Sequence, residues 1–256
     1  MEDEMLLTVL GCSGSVPAPD SPASGYLLRA ENTSVVLDLG NGTLGALQRF
    51  LDPFALDGML LSHLHPDHCA DVSAMTVYRR YHLNPPPHRT LPLHGPTDAA
   101  ERLAAAYAPN AMERAATDLS DVYDFRSYAE AARIGPIEVC AVPVEHPCEA
   151  YALRLRHAGR VLVFSGDTGP CRQLIELATD ADVLLAEASW PHRPDNPPGI
   201  HMSGTQAGEA AAAAGVGQLL ITHVPPWTDP EQILAEAKEA FGGSTELVRA
   251  GAHYDI

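Results

Sequence analysis

The stretch LSHLHPDH, residues 61–68, places three of the chain's twelve histidines and an aspartate within six positions, closing the apolar run that starts at Gly58. A solvated turn has no need of such crowding, whereas a metal ion has. Imidazole and carboxylate are good ligands for zinc, manganese or iron. On an extended or turn backbone His63 and His65, two apart, converge on one ion from one side. Asp67 and His68, behind Pro66, can face a second if the chain starts to coil there. Two hydrolytic metals close together need roughly six to eight protein or water donors, so further ligands are required downstream.

Candidates stand at the ends of strand-like runs. His146 closes AVPVEH, Asp167 closes VLVFSGD and His223 closes QLLITH, and layered α/β folds commonly gather function at such ends. Glu187 ends another apolar run, and His201 follows fourteen residues later, past the proline-rich segment 190–200. If that loop folds back, Glu187 can orient His201 as a general acid for an alkoxide leaving group; otherwise the two are a strand-end glutamate and a loop histidine. His82, His88, His94, His157, His192 and His253 lack such support and are assigned to the surface or to local hydrogen bonds.

The surrounding pattern is that of a layered α/β protein. LLTVL (6–10), GYLLRA (25–30), SVVLDLG (34–40), GMLLSH (58–63), RTLPLHGP (89–96), IEVCAVPVEH (137–146), EAYALRLRHAG (149–159), RVLVFSGD (160–167), ADVLLAEAS (181–189) and VGQLLITHV (216–224) read as strands. Helices are expected over NGTLGALQRFL with Asn41 as cap, over ADVSAMTVYRRYHL until the LNPPPH break, over TDAAERLAAAYAP, and near CRQLIELATD. Ser203 and Gln206 form a capping box for an alanine-rich helix, and Asp229, Pro230 and Gly242 start and stop the last one. Residues 110–135 carry no clear period. Two sheets with helices outside and one domain over 1–256 are expected.

Composition narrows the classes. With 46% apolar residues in 256, a large core is affordable and disorder is excluded. Acids outnumber bases 33 to 16, for a formal charge of -17 with a single lysine, Lys238; such a surface repels nucleic-acid backbones and anionic membranes at long range. No basic leader precedes the first strand and no apolar run reaches the roughly 20 residues of a membrane span. Five cysteines without a CxxC pair imply a reduced, cytoplasmic protein.

Residues 63–68 fit the HxHxDH motif of the metallo-β-lactamase superfamily, and the order Asp38, HxHxDH, His146, Asp167, His223 resembles its five motifs across nearly the whole chain. The resemblance implies a four-layer αββα sandwich of two mixed sheets and outer helices. It also implies that His63, His65 and His146 hold one metal, that Asp67, His68 and His223 hold the other, that Asp167 bridges them, and that Asp38 supports the loop without being a ligand. Two divalent ions, zinc ahead of manganese, are the implied cofactors. Asp67, Glu187 and His201 are the expected catalytic residues. LGCSGSVP at the N-terminus, AEAS around Glu187 and HMSGTQAGEAA from His201 are similar to the phosphodiesterase branch that contains ribonuclease Z and bacterial cyclic-nucleotide phosphodiesterases.

Within that branch, SHLHPDHCAD, FSGDTGP and GIHMSG with ITHVPPW resemble actinobacterial cyclic-AMP phosphodiesterases. The chain shows no segment corresponding to the transfer-RNA-gripping arm of bacterial ribonuclease Z, and reads THVPPW where those enzymes tend to place serine and arginine. The expected activity is therefore hydrolysis of a 3',5'-cyclic nucleotide to the 5'-monophosphate. A small nucleotide is the expected partner, neither membrane nor nucleic acid is, and a homodimer is implied by resemblance. Transfer-RNA 3'-processing and thioester or lactone hydrolysis are the alternatives. Weaker substrate-binding candidates are Ser13 and Ser15 in a Gly-Ser turn, Arg79 beside Arg80, facing either the pocket or solvent, and Trp227, either packed away or stacking on a base.

Overall fold

A computed structural model describes residues 4–87, 90–128 and 132–256. His88, Arg89 and part of the 110–135 stretch lie outside them. In chain order the strands are β1 (Met5–Gly11), β2 (Gly25–Ala30), β3 (Thr33–Leu37), β4 (Gly58–Leu60), β5 (Leu91–Gly95), β6 (Tyr123–Ser127), β7 (Ala132–Ile134), β8 (Ile137–Pro143), β9 (Tyr151–His157), β10 (Arg160–Phe164), β11 (Val183–Glu187), β12 (Gln218–Thr222), β13 (Ser244–Leu247) and β14 (His253–Asp255). The helices are α1 (Thr43–Leu47), α2 (Pro66–Cys69), α3 (Asp71–Tyr81), α4 (Ala99–Tyr107), α5 (Arg172–Ala178), α6 (Gly204–Ala214) and α7 (Pro230–Phe241).

Two seven-stranded sheets result, ordered β14-β1-β2-β3-β4-β5-β6 and β13-β12-β11-β10-β9-β8-β7. Each is mixed: β3 to β6 run parallel in the first and β10 to β13 in the second, while the other neighbours are antiparallel. Side chains alternate across a strand, and the sequence supplies apolar residues for both faces. Leu28, Val35 and Leu37 meet Leu153, Leu155 and Phe164 between the sheets. Their neighbours Leu27 and Val36 face Leu47, Val72 and Met75 of the outer helices. Val163, Leu184 and Ile221 do the same toward Leu174, Ala207 and Ile233. The order of layers is thus helix, sheet, sheet, helix, as the resemblance implies. Each fully buried leucine or valine contributes roughly 1.5–3 kcal/mol, which is why the strands need so little polar alternation.

Local rules place the helices with one exception. Ser203 and Gln206 form the capping box of α6, and Asp229 caps α7 ahead of Pro230, with Gly242 closing it in the left-handed conformation. Asn41 does not cap α1: Gly42 takes that position at φ 87°, and the Leu44 N–H is satisfied instead by Asp71 Oδ2 at 2.9 Å. A distant carboxylate has replaced the local cap. His94 and His157, expected at the surface or in local bonds, are buried, His94 stacked on Tyr128. Among the described residues no helix is long and apolar enough to cross a membrane.

Candidate metal centre

The strand ends decide where the polar residues meet. β3 delivers Asp38, β4 the 61–65 loop, β10 Asp167, β11 Glu187 and β12 His223, so parallel strands of both sheets open onto one edge of the sandwich. Asp38 and His223 sit at φ 56° and 59°, a left-handed conformation that costs a non-glycine residue about 1–3 kcal/mol and persists where the surroundings impose it. In the HPDH turn His65 is still extended, Pro66 opens α2, and Asp67 and His68 emerge from its single turn. Ser24 N–H donates to Asp67 O at 3.1 Å and Leu39 N–H to His68 O at 2.7 Å, fixing that turn to the β1–β2 and β3–α1 loops. Only glycine fits at position 40, where a Cβ would lie 1.8 Å from Asp67 O.

Two groups of donors follow. In the first, His65 Nδ1 lies 3.0 Å from His63 Nε2 and 3.1 Å from His146 Nε2. In the second, His223 Nε2 lies 3.2 Å from His68 Nε2 and 3.1 Å from Asp67 Oδ2, and Asp167 Oδ1 is 3.2 Å from His68 Nε2. The donor atoms of each group lie within 4.8 Å of one another. Asp167 Oδ2 is also 3.8 Å from His63 Nε2, so one carboxylate faces both groups. This is a dinuclear metal-binding site, and the donor set suits borderline or hard divalent ions.

The far nitrogen of every imidazole is also engaged, as an oriented metal ligand requires. His63 Nδ1 meets Ser62 Oγ at 3.1 Å, His68 Nδ1 meets Asp38 Oδ2 at 2.8 Å, and His146 Nδ1 meets Ile200 O at 2.9 Å. His223 Nδ1 meets Ser189 Oγ at 3.0 Å, and His65 Nε2 faces Cys148 Sγ at 4.0 Å. Asp38 is fully buried and also accepts from Ser62 N–H and Oγ–H, at 2.7 and 2.8 Å. Ser62, Ser189 and Cys148 were not singled out by sequence. Ser62 adjoins the motif and Ser189 belongs to AEAS, but only the fold reveals which nitrogen each one meets.

Burial and charge oppose each other here. Burial pushes the Asp167 carboxyl up, yet His223 and His68 outweigh it and hold it well below the ordinary range. Burial pushes His68 down, yet Asp167 and Asp38 hold it well above. His63, buried beside His68, is driven well below its ordinary value. Buried carboxylates are stable only when paired or bound to cations, and among the described residues the counter-charges around Asp67 and Asp167 are imidazoles alone.

His201 lies beside the second group. Its Nδ1 is 2.8 Å from Glu187 Oε1 and 3.8 Å from Asp167 Oδ2. Glu187 is fully buried, accepts from Thr168 N–H at 3.0 Å, and receives the Ser189 hydroxyl at 3.0 Å on its other oxygen. The loop 190–200 has folded back, closing a chain from His223 through Ser189 and Glu187 to His201. Burial works to lower the His201 pKa, but Glu187 and then Asp167 raise it to about 9.

The weaker candidates divide. Trp227 and Ser15 line an open cleft of about 500 Å³ together with Trp190, Arg193 and His201, and Ser15 N–H donates to His223 Nε2 at 3.4 Å. Ser13 faces a separate hollow behind this loop, and its hydroxyl donates to Val16 O at 2.6 Å. Arg79 is 1% exposed; its guanidinium donates to Pro53 O at 2.8 Å and lies over the Phe54 ring. Arg80 pairs with Asp121 and lies over Tyr107. Neither arginine lines the cleft. Helix α3 turns both of them toward the Pro53–Ala55 turn and residues 107–121.

A family model described as the beta-lactamase superfamily domain matches residues 33–224. An uncharacterized protein of Mycobacterium leprae is 52% identical over 98% of this chain and 88% of its own length. Ribonuclease Z of Mycolicibacterium paratuberculosis is 30% identical, covering 94% of each. The crystal structure of the metallo-beta-lactamase fold protein YhfI from Bacillus subtilis superposes with a TM-score of 0.86 at 27% identity, over 99% of this chain and 100% of that one. The ribonuclease Z relative corrects the exclusion of nucleic acid as a partner. Net charge describes the average surface, and an average of -17 does not fix the field at an edge built to hold two cations.

Proposed function

We propose a substrate for a chain that belongs to the metallo-β-lactamase superfamily, in the phosphodiesterase branch that includes ribonuclease Z: a 3',5'-cyclic nucleotide, cyclic AMP first, hydrolysed to the nucleoside 5'-monophosphate. The protein is a metal-dependent hydrolase with a dinuclear site. Two divalent cations, zinc ahead of manganese, would be held by His63, His65 and His146 and by Asp67, His68 and His223, with Asp167 shared. Bound there, such ions supply a nucleophile at neutral pH and neutralise charge on phosphoryl oxygens.

The chain's own residues do the rest. Asp67, 3.1 Å from His223 Nε2 and 3.4 Å from His68 Nε2, would orient the attacking water. Asp38, Ser62 and Ser189 hold His68, His63 and His223 in their ring orientations. Glu187 fixes Nδ1 of His201 as the bonded nitrogen and leaves Nε2 to deliver a proton to the departing 3'-oxygen. The His201–Glu187 contact at 2.8 Å carries this reading. A sugar alkoxide is a poor leaving group and needs a donor, whereas a thiolate released by a thioesterase does not.

A second reading, RNA 3'-processing, is favoured by the ribonuclease Z relative at 30% identity over 94% of both chains. Turnover of cyclic AMP and of unprocessed transfer RNA by one metal-loaded preparation separates them. Cyclic AMP hydrolysis supports the first; RNA trimming without it replaces the first by the second. We also propose one domain acting as a cytoplasmic homodimer, which sedimentation at micromolar concentration tests for the assembly.

A further inference from the structure

We propose that the cleft beside His201 is a nucleobase site in which the Trp227 indole stacks on the base of the substrate. This rests on the phosphodiesterase reading above for which nucleotide enters, but on separate residues for how it is held. The chain has two tryptophans, and both line this cleft with His201. Trp227 is 69% exposed and makes no hydrogen bond or ring contact with a described residue. An indole left in water sacrifices a large apolar surface, and it does so here at the mouth of the catalytic edge.

The backbone that carries Trp227 is held in advance of any ligand. Pro225 and Pro226 restrict the backbone before it, and Thr228 N–H donates to Pro225 O at 2.9 Å. Thr228 Oγ1 donates to Ser189 O at 3.1 Å, tying the loop to the residue that already joins His223 and Glu187. Asp229 then starts α7. With the backbone fixed, binding has only the indole's own side-chain freedom left to order. Trp190, also lining the cleft, packs edge-on against His201, with ring centroids 5.1 Å apart, and its buried indole N–H has no acceptor among the described residues.

Size and charge agree with a base. About 500 Å³ falls in the range of small-molecule sites. The cleft carries one cation, Arg193, and one anion besides the His201 edge, Asp229. A neutral, aromatic-walled hollow next to a cationic centre suits a neutral base whose phosphate points at the metals. Gln232 and Asn196 offer amides beside it, each with one N–H already given, to Glu236 at 3.0 Å and to Pro191 O at 2.8 Å. The same stack serves the base of a mononucleotide or a base at the scissile position of an RNA, and the test separates these sources.

The test uses the full-length, metal-loaded protein as wild type, Trp227→Ala and Trp227→Phe. Binding of adenosine 5'-monophosphate and of ribose 5-phosphate is measured by calorimetry, and KM and kcat are measured for cyclic AMP and for unprocessed transfer RNA. Trp227→Ala is expected to weaken adenosine 5'-monophosphate about 5- to 150-fold, the loss of one base stack, and to leave ribose 5-phosphate unchanged. Trp227→Phe should fall between. The cyclic AMP KM should rise by a like factor with kcat held within about twofold. The same rise with transfer RNA alone assigns the stack to an RNA base. Equal weakening of both phosphates, or no weakening of either, overturns the base site. Trp227-dependent binding of adenosine 5'-monophosphate without turnover of either substrate keeps the base site and refutes the phosphodiesterase reading.

Discussion

The two halves of the metal centre are built differently. The first is three imidazoles, of which only His63 is fully buried, and their outer nitrogens meet a serine hydroxyl, a cysteine sulfur and a backbone carbonyl. The second is two imidazoles and two carboxylates, all buried, and His68 is backed by a third carboxylate, Asp38. Apart from the shared Asp167, the first half has neutral donors with neutral support, whereas the second half adds the charges of Asp67 and Asp38 in a place water does not screen. The second half should therefore keep its ion longer. Stepwise chelation should release one equivalent early and one late, and simultaneous loss of both would refute the difference.

Asp167 is the residue that faces both halves, and its removal should have the largest effect. Asp167→Ala is expected to take metal content from two equivalents to below one and to cost more than about 10³-fold in kcat/KM, beyond the loss of a single electrostatic contact. Retention of two ions by elemental analysis would deny that the carboxylate is shared. Next comes His201→Ala, with about 10²- to 10⁴-fold lost from kcat, the usual worth of a general acid, and both ions kept.

His201 also fixes a pH limb. It acts when protonated, and Glu187 with Asp167 raises its pKa to about 9 against the lowering effect of burial. Activity should thus persist through neutrality and fall as pH rises through that value. Cations on Asp167 offset part of its influence and move the limb downward. Glu187→Gln should shift it about two units further toward the ordinary histidine value of roughly 6.5. A kcat–pH profile with the same alkaline limb in both proteins would remove His201 from proton transfer.

Asp38→Asn should come next in size, weakening the second ion about 10- to 100-fold while the first is little changed. A uniform loss at both would make Asp38 a prop for the loop as a whole, through Ser62, more than for His68.

How much of this was legible follows from the same contrast. The second half, like most of the first, is carried by residues at the ends of unmistakable apolar runs, and the turn residues that bound those runs let them be placed. His146, Asp167 and His223 could be picked out for that reason, whereas Asp38 was reached through the family resemblance. The outer contacts were not legible: Ser189 and Cys148 reach histidines 34 and 83 positions away, and no local pattern encodes such a meeting. Arg79 misled for a related reason. Its place after the HPDH turn is sequential proximity, whereas the rotation of α3 sends it under Phe54. Nor could Asn41 be ruled out as a cap before Asp71, on another helix, was seen to take the Leu44 amide.

The smallest effect concerns His65. Its outer nitrogen faces Cys148 Sγ at 4.0 Å, where the other ligand histidines have oxygen acceptors at 2.8 to 3.1 Å. Sulfur is a weak acceptor, so this ring is the least restrained of the five. Cys148→Ala should cost the first ion only about two- to fivefold in affinity, the low end for a hydrogen bond, and the second ion nothing. Cys148→Asp, which offers an oxygen acceptor within reach of the same nitrogen, should tighten the first ion and narrow the gap between the two chelation steps. If neither substitution moves the early step, His65 is oriented by the N-cap geometry ahead of Pro66 alone, and the weakness of the first half lies in its missing charge.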